Sequence, residues 1–275
     1  MRQWGVVVVA LVCAVGSAAP ACAQGDEIQV YDGGLAGVGV FNLTWHNNFT
    51  PRGIETPAFP GSVTADKSFN GVTEWALGVT DWFEAGLYLP LYTHDKNAGF
   101  GIDGGKLRTL FASPHGAGRR FAYGLGLEFS YNARRWDQTR VTSEIRPILA
   151  WHLNPTFDVI VNPILDTAYD RFSRLEFVPS TRVAYNRSRA WAVAVETYSD
   201  FGRLEHFQAP SNQSHQIYVV IDHVAANGIE MEFGAGVGLT HASDHLTLKL
   251  ILARDLNKGK QASTARQSAA ASRQP

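Results

Sequence analysis

Between Val38 and Asp255 apolar side chains recur at every second position through one stretch of roughly ten residues after another, with turn-forming segments between them. In His245–Arg254, Leu246, Leu248, Leu250 and Leu252 share one face, while Thr247, Lys249, Ile251 and Ala253 share the other. Successive side chains of a strand point to opposite faces, so the leucines form one apolar ridge. Such a ridge meets a second sheet in a soluble sandwich. In a closed barrel it meets lipid, while the opposite face lines a polar lumen.

The N-terminus favours the membrane alternative. Arg2 precedes the apolar run Val6–Val15, which gives way to Ala21, Cys22 and Ala23 before Gln24. A charged start, a short apolar core and an A-x-A-like site predict a secretory signal peptide over residues 1–23. The core is shorter than the ~20 residues a helix needs to span a bilayer. Both cysteines, Cys13 and Cys22, fall in this leader. The mature chain is therefore expected to carry no disulfide, thiolate metal site or cysteine nucleophile.

Charge narrows the partners. The chain has 24 basic and 25 acidic residues, and setting aside Arg2 with the leader and Lys258, Lys260, Arg266 and Arg273 with the tail leaves 19 basic. An acidic mature barrel lacks the concentrated basic surface that phosphate binding needs, so no nucleic-acid partner is expected. Mean hydropathy is slightly negative although 45% of residues are hydrophobic, as alternation rather than clustering requires.

About twelve strands are predicted, the clearest being Phe83–Thr93, Phe121–Asn132, Ala190–Ser199 and His245–Asp255. Gaps after even-numbered strands are short, as at Asp81–Trp82, Asn154–Pro155 and Ala225–Gly228; Thr50–Ser68 and Asp200–Ser214, after odd-numbered strands, are long. Outer-membrane barrels have short periplasmic turns and longer outer loops, and an even strand count leaves both termini in the periplasm. The fold class read from the sequence is thus all-β, a transmembrane antiparallel β-barrel in the bacterial outer membrane. Residues 24–37 are assigned to a periplasmic N-terminal segment, 38–256 to the barrel and 257–275 to a disordered polar tail. Trp45, Trp82, Trp136, Trp151 and Trp191 lie near strand ends, where interfacial girdles belong. The expected partners are outer-membrane lipid and lipopolysaccharide, the barrel-assembly machinery and a small-molecule solute.

The run Glu74–Tyr92 (EWALGVTDWFEAGLYLPLY), with EIQVYDG at Glu27–Gly33 and HNNF at His46–Phe49, resembles the outer-membrane barrel family of the meta-pathway of phenol degradation type. The resemblance implies an outer-membrane protein, with uptake of hydrophobic or aromatic compounds as the associated role. The polar residues beyond Leu256 depart from barrels that end on an aromatic residue.

If odd positions of Phe121–Tyr131 and Ile229–Leu239 face lipid, the same parity turns Glu74, Glu84, Glu128, Glu144, Arg146, Asp166, Arg182, Glu196, Glu230 and Glu232 inward. Asp222 and Lys249 follow from their own strands. An Arg or Lys facing lipid near the midplane would cost ~2–4 kcal/mol. Glu144, Arg146 and Arg182 are expected to form an acid–base network that either lines a pore or plugs it, and the inward glycines Gly124, Gly126, Gly234, Gly236 and Gly238 favour an open path. The favoured function is passive passage of small molecules. The alternatives are a structural barrel with a plugged lumen and a lipid-modifying enzyme, for which His241, Ser243 and Asp244 are the candidates among scattered histidines. No cofactor and no metal site are expected: His115, His206 and His215 lack ligand spacing.

Overall fold

The computed structural model describes residues 27–168 and 175–259. The predicted signal peptide and most of the polar tail lie outside the described residues. Fourteen β-segments form one antiparallel sheet that closes on itself: β1 (Phe41–Arg52), β2 (Ser68–Gly78), β3 (Phe83–Asp95), β4 (Gly99–Ala112), β5 (Phe121–Asn132), β6 (Val141–Asn154), β7 (Phe157–Asn162), β8 (Leu165–Ala168), β9 (Glu176–Phe177), β10 (Ser180–Asn186), β11 (Trp191–Asp200), β12 (Ser214–Val224), β13 (Glu230–Gly238) and β14 (Leu246–Asp255). β7 and β8 are halves of one stave interrupted at Pro163, and β9 and β10 halves of another interrupted at Pro179. Proline has no N–H to give the ladder, so the uninterrupted strands that the sequence pattern predicts at Phe157–Ala168 and Arg174–Asn186 are split. The ring therefore has twelve staves.

Each stave pairs with the next, and the ring closes where β1 meets β14, from Asn42 opposite Asp255 to Arg52 opposite Leu246. Closure leaves no edge with unpaired backbone groups, a condition for spanning lipid. Asn257 secures the seam: its Oδ1 accepts from Phe41 N–H (2.7 Å) and its Nδ2 donates to the Gly39 carbonyl (2.9 Å).

The outer surface is apolar. Val183, Val195 and Val219 sit side by side across β10, β11 and β12 and are all exposed, as are Leu87, Leu107, Leu125 and Phe129 elsewhere on the ring. Aromatic rings collect at the ends of this belt. On the periplasmic side Trp82 stacks on Phe111, Phe121 meets Trp151, Phe157 meets Tyr185 and Trp191 stacks on His223. On the outer side Trp45 donates to the Tyr92 hydroxyl (2.8 Å), which also lies near Phe69 and Phe100. Trp136 does not belong to a girdle. It sits in the β5–β6 outer loop, buried with Val72, Tyr88 and Leu91 on the inside of the barrel.

Two outer loops cross the mouth together. Val63 N–H donates to the Arg135 carbonyl (2.9 Å), Thr64 donates twice to Asp95 (2.6 and 2.8 Å), and Arg135 pairs with Asp103 (2.6 Å). Within the first loop Asp66 accepts from Lys96 (2.7 Å), which holds its carboxyl below the usual range. Among the described residues no helix is long and apolar enough to cross a membrane.

Candidate functional site

Most charged side chains of the staves are buried or half-buried within the ring. Four clusters stand on the lumen wall. Arg108 on β4 pairs with Glu74 on β2 and with Glu84 on β3 (2.6 Å), and His46 on β1 lies 3.3 Å from Glu74. Arg146 on β6 grips Glu144 on the same strand through both carboxylate oxygens (2.5 and 3.1 Å). Lys106 on β4 reaches Glu128 on β5 at 3.6 Å. In the fourth cluster Lys249 on β14 bridges Glu196 (2.5 Å) and Glu232 (2.6 Å), while Arg182 on β10 pairs with Glu196 and Asp222 and approaches Glu232 at 3.4 Å. Asp166 lies in register with Glu144, and Glu230 lines the periplasmic mouth.

The expected network of Glu144, Arg146 and Arg182 is corrected by this arrangement, because Arg182 belongs to the Lys249 cluster and Arg146 to a separate one. Arg108 and Lys106 are absent from the expected inward set although they share the even-numbered parity of Glu74 and Glu84. The run Gly99–Gly105 at the start of β4 hides that strand's alternation. The inward glycines do not leave a free path either. A Cβ on Gly234 would lie 2.8 Å from the Lys249 Cε, and one on Gly236 would meet the Tyr218 ring. They seat large neighbours.

The lumen is filled by the chain itself. The sequence assigns residues 24–37 to a periplasmic segment, but Glu27–Ala36, the described part that precedes the link to β1, runs inside the barrel. It packs there because it carries apolar side chains that periplasmic water would leave exposed. Ile28 and Val30 are buried against Ala122, Ala150, Ile160, Ala194, Tyr198 and Tyr218, and Tyr31 and Leu35 against Leu110, Ala112 and Ile148. Wall side chains satisfy its backbone. Asn162 accepts from Tyr31 N–H (2.7 Å) and donates to the Tyr31 carbonyl (2.9 Å). Lys249 donates to the Ile28 carbonyl (3.1 Å), Arg146 donates to the Gln29 carbonyl (3.2 Å), and Ala36 N–H donates to Glu84 (2.5 Å).

Tyr31 occupies the centre of this contact. Its ring centroid lies 4.3 Å from the Arg146 guanidinium carbon and 5.3 Å from that of Arg108, within cation–π range. Its hydroxyl donates to Glu27 and is hydrogen-bonded to the Tyr88 hydroxyl. Below the segment a cavity of about 690 Å³ lies among the periplasmic turns, lined by Asp32 and Leu35 of the segment and by Glu84, Arg108, Arg182 and Asp222 of the wall.

The enzyme candidates do not assemble a nucleophile. Ser243 Oγ accepts from His215 N–H (2.8 Å) and donates to the His215 carbonyl (2.9 Å), and Asp244 accepts from Ile54 N–H (2.8 Å). Both side chains stitch outer loops together. Among the described residues no group of three or more His, Cys, Asp or Glu is placed to hold a metal ion.

No family model matches the sequence, and no curated protein matches it. Solved structures do resemble the fold. An outer-membrane channel from Pseudomonas putida F1 aligns over 84% of this chain and 100% of its own, at 13% identity and a TM-score of 0.55. The KdgM porin aligns over 78% of this chain and 99% of its own, at 7% identity and a TM-score of 0.52; it has also been solved in complex with disordered oligogalacturonate. With its closed ring of twelve staves, apolar belt and aromatic girdles, the chain is an outer-membrane β-barrel of porin-like architecture.

Proposed function

We propose that this protein is an outer-membrane channel for the passive passage of small molecules. The observation that carries the reading is the lumen wall. Glu84, Arg108, Arg182 and Asp222 of the wall face a cavity of about 690 Å³ that the N-terminal segment leaves at its periplasmic side. Among the wall groups named above, carboxylates outnumber cations, which disfavours anions and admits cations and neutral solutes. Oligogalacturonate, found with the KdgM porin, is a polyanion and suits this wall poorly. The finer part of the reading is cargo. The resemblance of Glu74–Tyr92 to the barrel family of the meta-pathway of phenol degradation type supports small aromatic compounds, and the Tyr31 seat offers a phenol ring two guanidiniums and a hydroxyl.

A specific observation also favours the plugged structural barrel: Glu27–Ala36 fills the middle of the lumen. Conductance in planar bilayers separates the two. The channel reading expects ion passage with a reversal potential that favours potassium over chloride in a salt gradient. It expects a larger cation preference for Arg182→Ala, because Glu196, Asp222 and Glu232 then share one cation fewer. A folded, heat-modifiable barrel that passes no ions, even with residues 27–36 deleted, is a structural protein.

A further inference from the structure

We propose that Ser199, His215 and Gln213 form a second site on this barrel, a serine hydrolase centre at the lipid-facing outer rim that cleaves the carboxylic ester holding an acyl chain to a membrane lipid. It lies outside the lumen and goes beyond the channel reading.

Register places the pair. Ser199 on β11 stands opposite His215 on β12, and each lies four residues toward the outer rim from an exposed valine of the apolar belt, Val195 and Val219. An even offset keeps a strand residue on the same face, so both side chains look toward lipid where the belt ends. In a bilayer the ester groups lie at the boundary between hydrocarbon core and headgroups. An acyl chain running along Val195 and Val219 therefore carries its ester to Ser199. Both Ser199 and His215 are half-buried, and so within reach of it.

Hydrogen bonds from the β11–β12 loop set the chemistry. Gln213 is buried and donates from Nε2 to the Gln208 carbonyl (2.7 Å), which turns its Oε1 toward His215 Nε2 (3.1 Å). An amide oxygen only accepts, so Nε2 carries the imidazole proton and Nδ1 is left as the base. Ser199 Oγ lies 2.9 Å from that Nδ1. Phe201 meets the imidazole edge-on at 5.2 Å and steadies the ring. A nucleophile, its base and a group that orients the base thus stand in one line. Ser243 differs, because its hydroxyl is taken up by the His215 backbone and the Thr240 hydroxyl. Toward the belt, the Thr181 and Thr197 hydroxyls lie 2.6 Å apart, and one bond between two hydroxyls leaves an O–H to donate to an oxyanion.

In the reaction Ser199 Oγ bonds to the ester carbonyl carbon while its proton passes to His215 Nδ1. The ester C–O bond breaks, and the leaving alcohol takes that proton. Water then adds to the acyl carbon, giving a proton to Nδ1. The Oγ–C bond breaks, the fatty acid departs and Ser199 recovers the proton.

The test places the full mature chain in vesicles of phosphatidylethanolamine and, separately, of lipid A, and measures released fatty acid by mass spectrometry. Wild type is expected to release it from at least one, and the vesicle that responds identifies the lipid. Ser199→Ala and His215→Asn are expected to lower the rate about a hundredfold or more, with heat-modifiable mobility showing that each is folded. Gln213 is a positioning residue: Gln213→Ala should lower kcat about tenfold at unchanged KM, and Gln213→Glu, which still offers His215 an acceptor oxygen, should restore it. A hexadecyl fluorophosphonate, which bonds through phosphorus to an activated serine and loses fluoride, should label Ser199 in wild type. Absence of release from both vesicles overturns the hydrolase, whether or not Ser199 is labelled. Release that survives Ser199→Ala overturns it equally.

Discussion

Replacing Lys249 with methionine is expected to destabilise the barrel by about 3–5 kcal/mol, the range for removing one partner of a buried ion pair. Lys249 is wholly buried and has four oxygen partners: Glu196, Glu232, the Ile28 carbonyl and the Tyr198 hydroxyl at 3.3 Å. Methionine keeps most of the volume and removes the charge. Glu196 is fully buried and would then share the single guanidinium of Arg182 with Glu232 and Asp222. The effect is therefore the desolvation of an under-compensated carboxylate rather than the loss of one attractive contact. Adding Glu196→Gln should restore a large part of the lost stability, which a pure packing defect would not allow. Urea unfolding in lipid vesicles, followed by the shift of heat-modifiable mobility, reads both variants. A Lys249→Met barrel within about 1 kcal/mol of wild type would mean that water already solvates the cluster, since hydrated pairs contribute on that smaller scale.

That cluster also shows what the sequence carries and what it does not. Glu196, Glu232 and Lys249 can be turned inward by counting positions, because β11, β13 and β14 alternate without interruption and any other parity puts charge into lipid. The same counting would place Arg108 and Lys106 on the strand expected at Phe100–Ala112, but the glycines at its start supply no alternation to count from. Parity says nothing about which inward charges meet. Glu144 and Arg182 look equally inward, yet their partners depend on stagger around the ring, and the splits at Pro163 and Pro179 alter that stagger locally. Trp136 departs from its expected girdle position for a related reason. Proximity to a strand end fits a girdle residue and an inward-folded loop alike, and only its contacts with Tyr88 and Leu91 distinguish them. The N-terminal segment is the least legible part. Glu27–Gly33 is polar and apolar in turn like a strand, but it makes no ladder, and its partners, Asn162 and Lys249, are more than a hundred residues away in sequence. Burial of that kind is decided by the space the finished barrel leaves, which no local pattern records.

The apolar belt yields the other large effect. Val195→Arg is expected to cost about 2–4 kcal/mol in a bilayer, whereas Val141→Arg should cost about 0–1, because the penalty for a cation on the lipid face falls from the midplane to the interface. Both valines are exposed on the ring, so packing against other side chains does not separate them. Position does. Val195 lies mid-strand between Val183 and Val219, and Val141 begins β6 at the outer rim opposite Tyr131. In a water-soluble sheet two exposed valines would tolerate arginine alike. Folding measured in vesicles of defined thickness therefore tests the membrane assignment through a single difference. Thinner bilayers should also shrink the Val195 penalty by bringing the guanidinium within reach of the headgroups, as snorkelling requires. Equal penalties at the two sites, or none at either, would remove the lipid-facing role from this surface, and with it the physical reason for which charge is confined to the lumen.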